Sequence, residues 1–133
     1  MDLSTYTRKD IGNLGESIAA EFFRQKGFIV QDRNWSRKTG ELDLVARRRD
    51  VLHIIEVKTI LCDDFPGDLD VYGPEDNLHQ HKISRVIRTA EWYVAKTVWE
   101  GEWQVDAVLV WLRKRDALAK VRYIPRISNN VVG

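Results

Sequence analysis

Three charged residues, Asp43, Glu56 and Lys58, stand in two segments that otherwise have the composition of buried β-strands. Carboxylate oxygens are the ligands that hard divalent cations prefer, and Mg²⁺ often uses one or two carboxylates, several waters and a substrate phosphate. An ammonium group nearby can orient or deprotonate a water, or neutralise charge that develops on a phosphate. Together these residue types predict hydrolysis at a phosphate with the help of a divalent cation.

The two segments are predicted to form an antiparallel hairpin. Residues 41–46 show the period-two alternation of a strand, and residues 51–59 are rich in β-branched side chains. A turn centred on residues 49–50 places Asp43 directly opposite Glu56, with Cβ atoms roughly 4.5 to 5.5 Å apart. Because side chains alternate faces along a strand, the lysine two positions after Glu56 shares its face.

Two carboxylates that face each other in a sheet destabilise it unless a cation compensates them. One remedy is Lys58 as a structural counter-ion, and the other is a divalent metal held by Asp43 and Glu56. The position of Lys58 favours the metal, because a purely structural cluster would not need a lysine two residues beyond the ligand and on the same face.

The spacing of these residues resembles that of a nuclease superfamily. Asp43, twelve intervening residues and then Glu56-Val57-Lys58 resemble the D…ExK core of the PD-(D/E)XK nucleases. Five short motifs together resemble the YraN-like family of uncharacterised bacterial proteins, which is similar in fold to archaeal Holliday junction resolvases. The resemblance covers residues 12–110 and rests on Gly15-Glu16, Arg33-Asn34, Gly40-Glu41-Leu42-Asp43-Leu44, Glu56-Val57-Lys58-Thr59 and Lys82.

The resemblance implies an α/β, restriction endonuclease-like fold, in which helices flank a mixed central β-sheet. It also implies metal-dependent endonuclease activity on DNA phosphodiester bonds, in branched, structured or damaged DNA, and by analogy a homodimer. Asp43, Glu56 and the carbonyl of Val57 are the implied ligands of Mg²⁺ or Mn²⁺. Lys58 is implied to position or activate the attacking water, and Glu16 to support a second ion or the hydration shell. The alternative is a non-catalytic protein that keeps the fold but only binds nucleic acid or acts as a scaffold.

The charge distribution permits DNA binding, although the net charge at pH 7 is only +1. Residues 63–76 carry six acidic and no basic side chains, and Pro66, Gly67, Gly73 and Pro74 within them predict a mobile loop. Its charge is expected to repel DNA unless the loop binds metal or folds away. The other 119 residues carry 21 basic and 14 acidic side chains, a net charge of +7. We predict DNA contacts from basic residues that solvation alone would also explain, namely Arg33, Arg47, Arg48, Arg49, Lys82 and Arg85.

The remaining patterns predict the elements that position these residues. A first helix is predicted over residues 11–26, ended by Gly27, with Glu16 at the edge of its apolar arc. Glu16 would either reach the metal site or stabilise the helix N-terminus. Asp106 interrupts a late apolar run, which favours a capping or ion-pair role. We also predict a short strand at 28–30, a polar connection at 31–39, a helix at about 75–98, and a hairpin of strands 103–112 and 118–124.

The length of 133 residues suits one domain. We predict a single endonuclease-like domain over residues 1–133, with a core at 10–127 and a frayed tail at 128–133. No apolar run approaches the roughly 20 residues that a membrane span requires. A single cysteine, Cys62, has no partner for an internal disulfide. These features predict a cytoplasmic protein that does not associate with membranes.

Overall fold

The computed structural model describes residues 1–68 and 80–127. Two helices and five strands lie in these ranges. In chain order they are α1 (Arg8–Gln25), β1 (Ile29–Arg37), β2 (Gly40–Arg48), β3 (Val51–Cys62), α2 (Gln80–Lys96), β4 (Glu102–Arg113) and β5 (Ala119–Ile124).

The five strands form one mixed sheet whose spatial order is the order of the chain. Neighbouring strands are antiparallel except β3 and β4, which are parallel from Val51↔Glu102 to Cys62↔Arg113. Parallel neighbours need a long connection, and this one contains α2. A mixed sheet with one helix before and one after the central hairpin confirms the predicted α/β class. It is compatible with a restriction endonuclease-like fold.

The hairpin of β2 and β3 has the predicted register. Pairing runs from Arg48↔Val51 to Leu44↔Ile55, which centres the turn on residues 49–50. The first turn residue has a φ of 56°, the left-handed backbone that tight hairpin turns require. Continued by one residue, the same register brings the two predicted metal-binding carboxylates to the same level of the sheet.

Apolar layers cover both faces of the sheet, with α1 packed on one face and α2 on the other. The central strands are therefore buried on both sides, over residues 52–56 of β3 and 105–112 of β4. The α2 layer includes Leu42, Val45, Leu52, Ile54, Ile83 and Tyr93, and the α1 layer includes Ala19, Phe23, Leu44, Ile55, Val108 and Leu112.

The first helix begins three residues earlier than predicted, at Arg8. Thr7 and Asp10 form a capping box, in which Asp10 N–H donates to Thr7 Oγ1 at 3.1 Å and Thr7 N–H donates to Asp10 Oδ2 at 3.0 Å. Glu16 is consequently the ninth residue of α1, too far from its N-terminus to stabilise it. That alternative for Glu16 is wrong. Gly27 follows the helix with a φ of 90°, as its predicted role requires.

Residues 31–37 belong to β1, so the predicted polar connection is wrong. β1 is an edge strand with many polar side chains. Its sequence therefore lacks the apolar alternation by which strands are recognised. Several of these side chains have partners on α2. Tyr93 O–H donates to Asp32 Oδ2 at 2.5 Å, and Gln31 Nε2 donates to the Tyr93 hydroxyl at 2.7 Å. These bonds hold the edge strand against α2.

The late hairpin is confirmed by the antiparallel pairing of β4 and β5. The predicted second helix ends at Lys96, two residues before the predicted end. Its predicted start at 75–79, residues 69–76 of the acidic segment and the tail at 128–133 lie outside the described residues. Neither α1 nor the described part of the second helix is long and apolar enough to cross a membrane.

Candidate active site

β2 and β3 separate at the end of the hairpin opposite the turn. Regular pairing between them stops at Leu44↔Ile55, whereas β2 stays paired with β1 as far as Gly40. The Asp43 carboxylate enters the gap, where its Oδ2 accepts a hydrogen bond from the backbone N–H of Val57 at 2.9 Å. Because a strand residue directs its N–H and its C=O to the same neighbouring strand, the Val57 carbonyl faces the same gap.

Glu56 is buried beside Asp43. Only 4% of this residue is exposed, and its Oε2 has no hydrogen-bond partner among the described residues. Burial, and then the negative charge of Asp43, raises the pKa of Glu56 far above that of an ordinary carboxyl group. The charge of Lys82 opposes this shift only in part. An additional positive charge here would therefore stabilise the ionised pair.

Lys82 supplies positive charge from α2. Its Nζ lies 3.8 Å from Glu56 Oε1, and its side chain is 46% exposed. An ion pair with one half-exposed partner is screened by solvent and contributes little to stability. α2 itself is held near β2 by a 2.8 Å hydrogen bond between the hydroxyls of Thr39 and Thr89. The pairing of Lys82 with Glu56 was not predicted, since the lysine was assigned to DNA contact.

α1 brings Glu16 close to the same carboxylates. Gly15 permits this approach, because a Cβ at its position would lie 1.9 Å from Thr59 Oγ1 of β3. Glu16 Oε1 is buried without a hydrogen-bond partner in the part of the chain that the structure describes. Burial, and then the charge of Asp43, raises the pKa of Glu16, whereas a hydrogen bond with Asn34 opposes the shift. Glu16 is thus a third acidic group beside the predicted pair.

Lys58 lines a neighbouring cavity. Asp43 and Glu56 line a cavity of about 400 Å³, and Lys58 and Glu16 line another of about 650 Å³. Lys82 lines both cavities. Lys58 is exposed, and no described carboxylate forms an ion pair with it. The structure therefore brings the acidic groups together, with Lys58 in the adjoining space and Lys82 as the cation paired with Glu56.

The residues predicted to contact DNA lie in three places. Arg85, like Lys82, lines the cavity that contains the two carboxylates. Arg33 lies on β1 and donates a hydrogen bond to a serine hydroxyl of α1 at 3.2 Å. The arginines at 47–49 lie about 13 to 20 Å along the chain from Asp43, at the strand rise of about 3.3 Å per residue. Only the first group lines the cavity that contains Asp43 and Glu56, whereas the charge of Arg33 acts on Glu16.

The candidate metal ligands are two carboxylates and one backbone carbonyl. Within residues 1–68 and 80–127, no three side chains of His, Cys, Asp or Glu converge into a metal-binding group. A cation held by Asp43 and Glu56 would therefore complete its coordination with the Val57 carbonyl, water or substrate oxygens. Mg²⁺ is commonly bound in this way.

A second polar cluster lies around Asp106, which is fully buried. Burial alone would raise the pKa of Asp106, but hydrogen bonds, first that with His53, hold it below its usual value. The structural role predicted for Asp106 is confirmed. Its partners were not predicted, because they come from separate elements and the sequence signals only a charge within an apolar run. They are His53 Nδ1 at 2.7 Å, Tyr123 O–H at 2.6 Å, Gln104 Nε2 at 2.7 Å and Arg126 N–H at 2.9 Å.

The site lies in a region that is shared with other proteins. One protein-family model matches residues 15–110, a span that contains all three acidic groups and both lysines. The chain belongs to the uncharacterised protein family UPF0102. This is the YraN-like family that the sequence motifs resemble.

Several UPF0102 proteins are similar to this chain over most of its length. The protein from Dictyoglomus turgidum is 34% identical over 118 residues, which cover 88% of this chain and 95% of that protein. The protein from Sulfurovum sp. is 36% identical over 103 residues, or 77% of this chain and 84% of that protein. The protein from Clostridium botulinum is 35% identical over 92 residues, or 68% of this chain and 69% of that protein.

Proposed function

We propose that this UPF0102 protein is a divalent-metal-dependent endonuclease that hydrolyses DNA phosphodiester bonds. Branched or damaged DNA is the proposed substrate, by analogy with the archaeal Holliday junction resolvases, to which the YraN-like family is similar in fold. The observation that carries the proposal is the pair Asp43 and Glu56 in one cavity of about 400 Å³, with Lys82 and Arg85 beside them. Acidic ligands and basic side chains in one cavity suit a metal ion and a phosphate together.

The residues present fit a hard divalent cation. Glu56 Oε2 and Glu16 Oε1 are both buried without a hydrogen-bond partner among the described residues. The repulsion between Asp43 and Glu56 is only partly offset by Lys82. Buried charges are stable when they are paired or bound to metal. A cation at this position would therefore give the carboxylate oxygens a partner and offset the repulsion between Asp43 and Glu56. We assign Asp43, Glu56 and the Val57 carbonyl as its ligands.

Mg²⁺ or Mn²⁺, when bound, would stabilise negative charge on the phosphate oxygens and lower the pKa of a nearby water. The side chains of the protein have complementary roles. Lys82 Nζ and the Arg85 guanidinium would hold the substrate phosphate and offset its charge. Lys58 Nζ would position or activate the attacking water, and Glu16 would accept hydrogen bonds from the surrounding water.

A protein that binds DNA without cutting it is the second candidate, and two observations favour it. The Lys82 ammonium already lies 3.8 Å from Glu56 Oε1, where a structural counter-ion would be expected. Lys58 lines a different cavity from the carboxylates. In this alternative the acidic residues belong to a structural ion-pair cluster, and only the basic residues contact DNA.

A nuclease assay on four-way, flap and linear DNA separates the two candidates. Wild-type protein is expected to cut at least one substrate with Mg²⁺ or Mn²⁺, and none in EDTA. Asp43→Asn should abolish cleavage while DNA binding persists. Asp50→Asn is the matched control, because it removes an exposed carboxylate at the turn of the same hairpin. DNA binding by wild-type protein without cleavage of any substrate would support the non-catalytic function.

A further inference from the structure

A cavity of about 340 Å³ lies at the turn end of the hairpin and takes no part in the proposed catalysis. It opens on the α1 side of the sheet, where Phe28 and Tyr123 belong to the apolar layer. Arg48 and Arg49 of the hairpin line it, together with Arg126 from the segment after β5. Three arginine residues from two separate parts of the chain thus line one concave surface.

These arginines lack acidic partners in the part of the chain that the structure describes. Within the described ranges no carboxylate forms an ion pair with Arg48, Arg49 or Arg126. The Arg48 guanidinium lies 5.3 Å from the centroid of the Phe28 ring. Arg48 and Arg126 both lie close enough to the Tyr123 phenol for their charges to act on it. Their positive charge is therefore concentrated on one wall of the cavity, and no described carboxylate, including that of the neighbouring Asp50, forms an ion pair with it.

The buried acid beneath the cavity does not serve as their hydrogen-bond partner. Each carboxylate oxygen of Asp106 already accepts two hydrogen bonds. One of the four comes from the backbone N–H of Arg126 at 2.9 Å, which fixes the point from which that side chain extends. The network holds the wall of the cavity in place and leaves the guanidinium groups available.

We propose that this arginine cavity binds a phosphate group. Guanidinium forks match phosphate oxygens through paired hydrogen bonds, and three of them suit the double charge of a phosphomonoester better than a single carboxylate. A stacked base fits less well, because the Phe28 ring already contacts Arg48, His53 and Tyr123. Either a nucleic-acid end or a small phosphate compound could carry the group.

The arginine cavity is separate from the carboxylate cluster. About 20 Å of β2 lies between Asp43 and Arg49 at the rise of a strand. Arg126 also lies beyond residue 110, where the match to the family model ends. Phosphate binding here does not require that the chain cuts DNA, so it can be measured without divalent metal.

Titration calorimetry with inorganic phosphate, in EDTA and at fixed ionic strength, tests the proposal. Arg48→Gln and Arg126→Gln should each weaken phosphate binding about 10-fold or more, as expected for a lost charge-assisted hydrogen bond. Arg88→Gln is the matched control, because it removes the same charge at an exposed position of α2, on the other face of the sheet. Its affinity should be nearly unchanged. The two test variants alter different segments, so one still tests the cavity if the other fails to fold.

A short oligonucleotide with or without a 5′-phosphate identifies the source of the group. Tighter binding of the phosphorylated form, lost in Arg126→Gln, would assign the cavity to a nucleic-acid end. Equal binding of both forms, with inorganic phosphate still bound, would assign it to a small phosphate compound. The proposal is overturned if wild-type protein does not bind phosphate, or if Arg88→Gln weakens binding as much as Arg48→Gln. Neither failure bears on metal-dependent cleavage.

Discussion

The carboxylates of Asp43 and Glu56 lie side by side but differ in their contacts. Asp43 Oδ2 accepts a backbone hydrogen bond from Val57 at 2.9 Å. Glu56 Oε2 has no described partner, and its other oxygen lies 3.8 Å from a half-exposed lysine. Because burial and like charge both disfavour ionised Glu56, this is the group at which a bound cation would give the largest stabilisation.

Replacement of Lys58 by alanine separates the chemical step from folding. Lys58 is exposed, so the free energy of unfolding should change by less than about 0.5 kcal/mol. If Lys58 positions or activates the attacking water, the cleavage rate should fall by about 10² to 10⁴-fold, while DNA affinity changes little. Single-turnover cleavage and urea denaturation measure these two effects.

Lys82→Ala is the comparison for that experiment, because Lys82 lies next to Glu56 and lines both cavities. It is expected to weaken DNA binding and to leave the chemical step less affected than Lys58→Ala. Loss of cleavage in Lys82→Ala with retention in Lys58→Ala would show that the role given to Lys58 belongs to Lys82.

At the scale of elements, Gly15 sets the distance between α1 and β3. A Cβ at this position would lie 1.9 Å from Thr59 Oγ1 and 2.7 Å from Thr59 Cγ2. Thr59 is fixed in the centre of the sheet by its pairing with Val110. A larger residue at 15 must therefore displace α1, and with it Glu16.

Gly15→Ala should lower the free energy of unfolding by about 1 to 3 kcal/mol, the usual cost of overpacking. Gly12→Ala is its matched control in the same helix, because no atom lies within 4 Å of a Cβ at that position. It should raise stability by about 0.4 to 1 kcal/mol, since alanine is the better helix former. Equal effects of the two substitutions in urea denaturation would contradict the described contact between α1 and β3.

Asp106 joins β4 to the hairpin, to β5 and to the segment that follows. Its hydrogen bonds hold its pKa below 3.8, so the ionised carboxylate stabilises the native state. That stabilisation is fully present above the unfolded pKa and is lost as the pH falls through the native pKa. Stability should therefore decline below about pH 4.

Asp106→Asn should lower the free energy of unfolding at neutral pH by about 1 to 3 kcal/mol, because buried donors lose their charged acceptor. It should also flatten the decline of stability in acid. Denaturation curves measured from about pH 2 to pH 7 give both results. Parallel pH profiles of the free energy of unfolding for the variant and the wild type would show that Asp106 is not the cause of the loss of stability in acid.

The elements differ in how far the sequence predicts them. The hairpin was predictable with its register, because period-two alternation and a two-residue turn leave few alternatives. β1 was predicted only at its start, as the short strand at 28–30, because an edge strand can be polar on both faces. The pairing of Lys82 with Glu56 and the meeting of Arg48 with Arg126 depend on tertiary packing, which local patterns do not encode. The proximity of Glu16 to the carboxylates was implied by family resemblance, not by its helix.

At the scale of the whole molecule, a net charge of +1 conceals separate acidic and basic regions. If Arg85 contacts a phosphate, DNA affinity should fall with salt by roughly 0.9 log units per log unit of salt for each phosphate neutralised. Arg85→Gln should make that slope shallower by roughly 0.9, the contribution of one phosphate contact. Arg24→Gln is the control, because Arg24 lies in the last turn of α1 beside Glu21. Fluorescence anisotropy across a salt series gives the slopes. Identical slopes for both variants would show that Arg85 does not contact the DNA.

Titration of Mn²⁺ into wild-type protein and Glu56→Gln tests most directly whether the carboxylate pair binds a divalent cation. The amide is nearly isosteric with the carboxylate, so it removes charge while it preserves shape. Glu91→Gln, at an exposed position of α2, controls for the loss of one negative charge. We predict that wild type and Glu91→Gln bind Mn²⁺, and that Glu56→Gln stays folded but does not bind it. Absence of binding to wild type, or unchanged binding to Glu56→Gln, would contradict the proposed metal site.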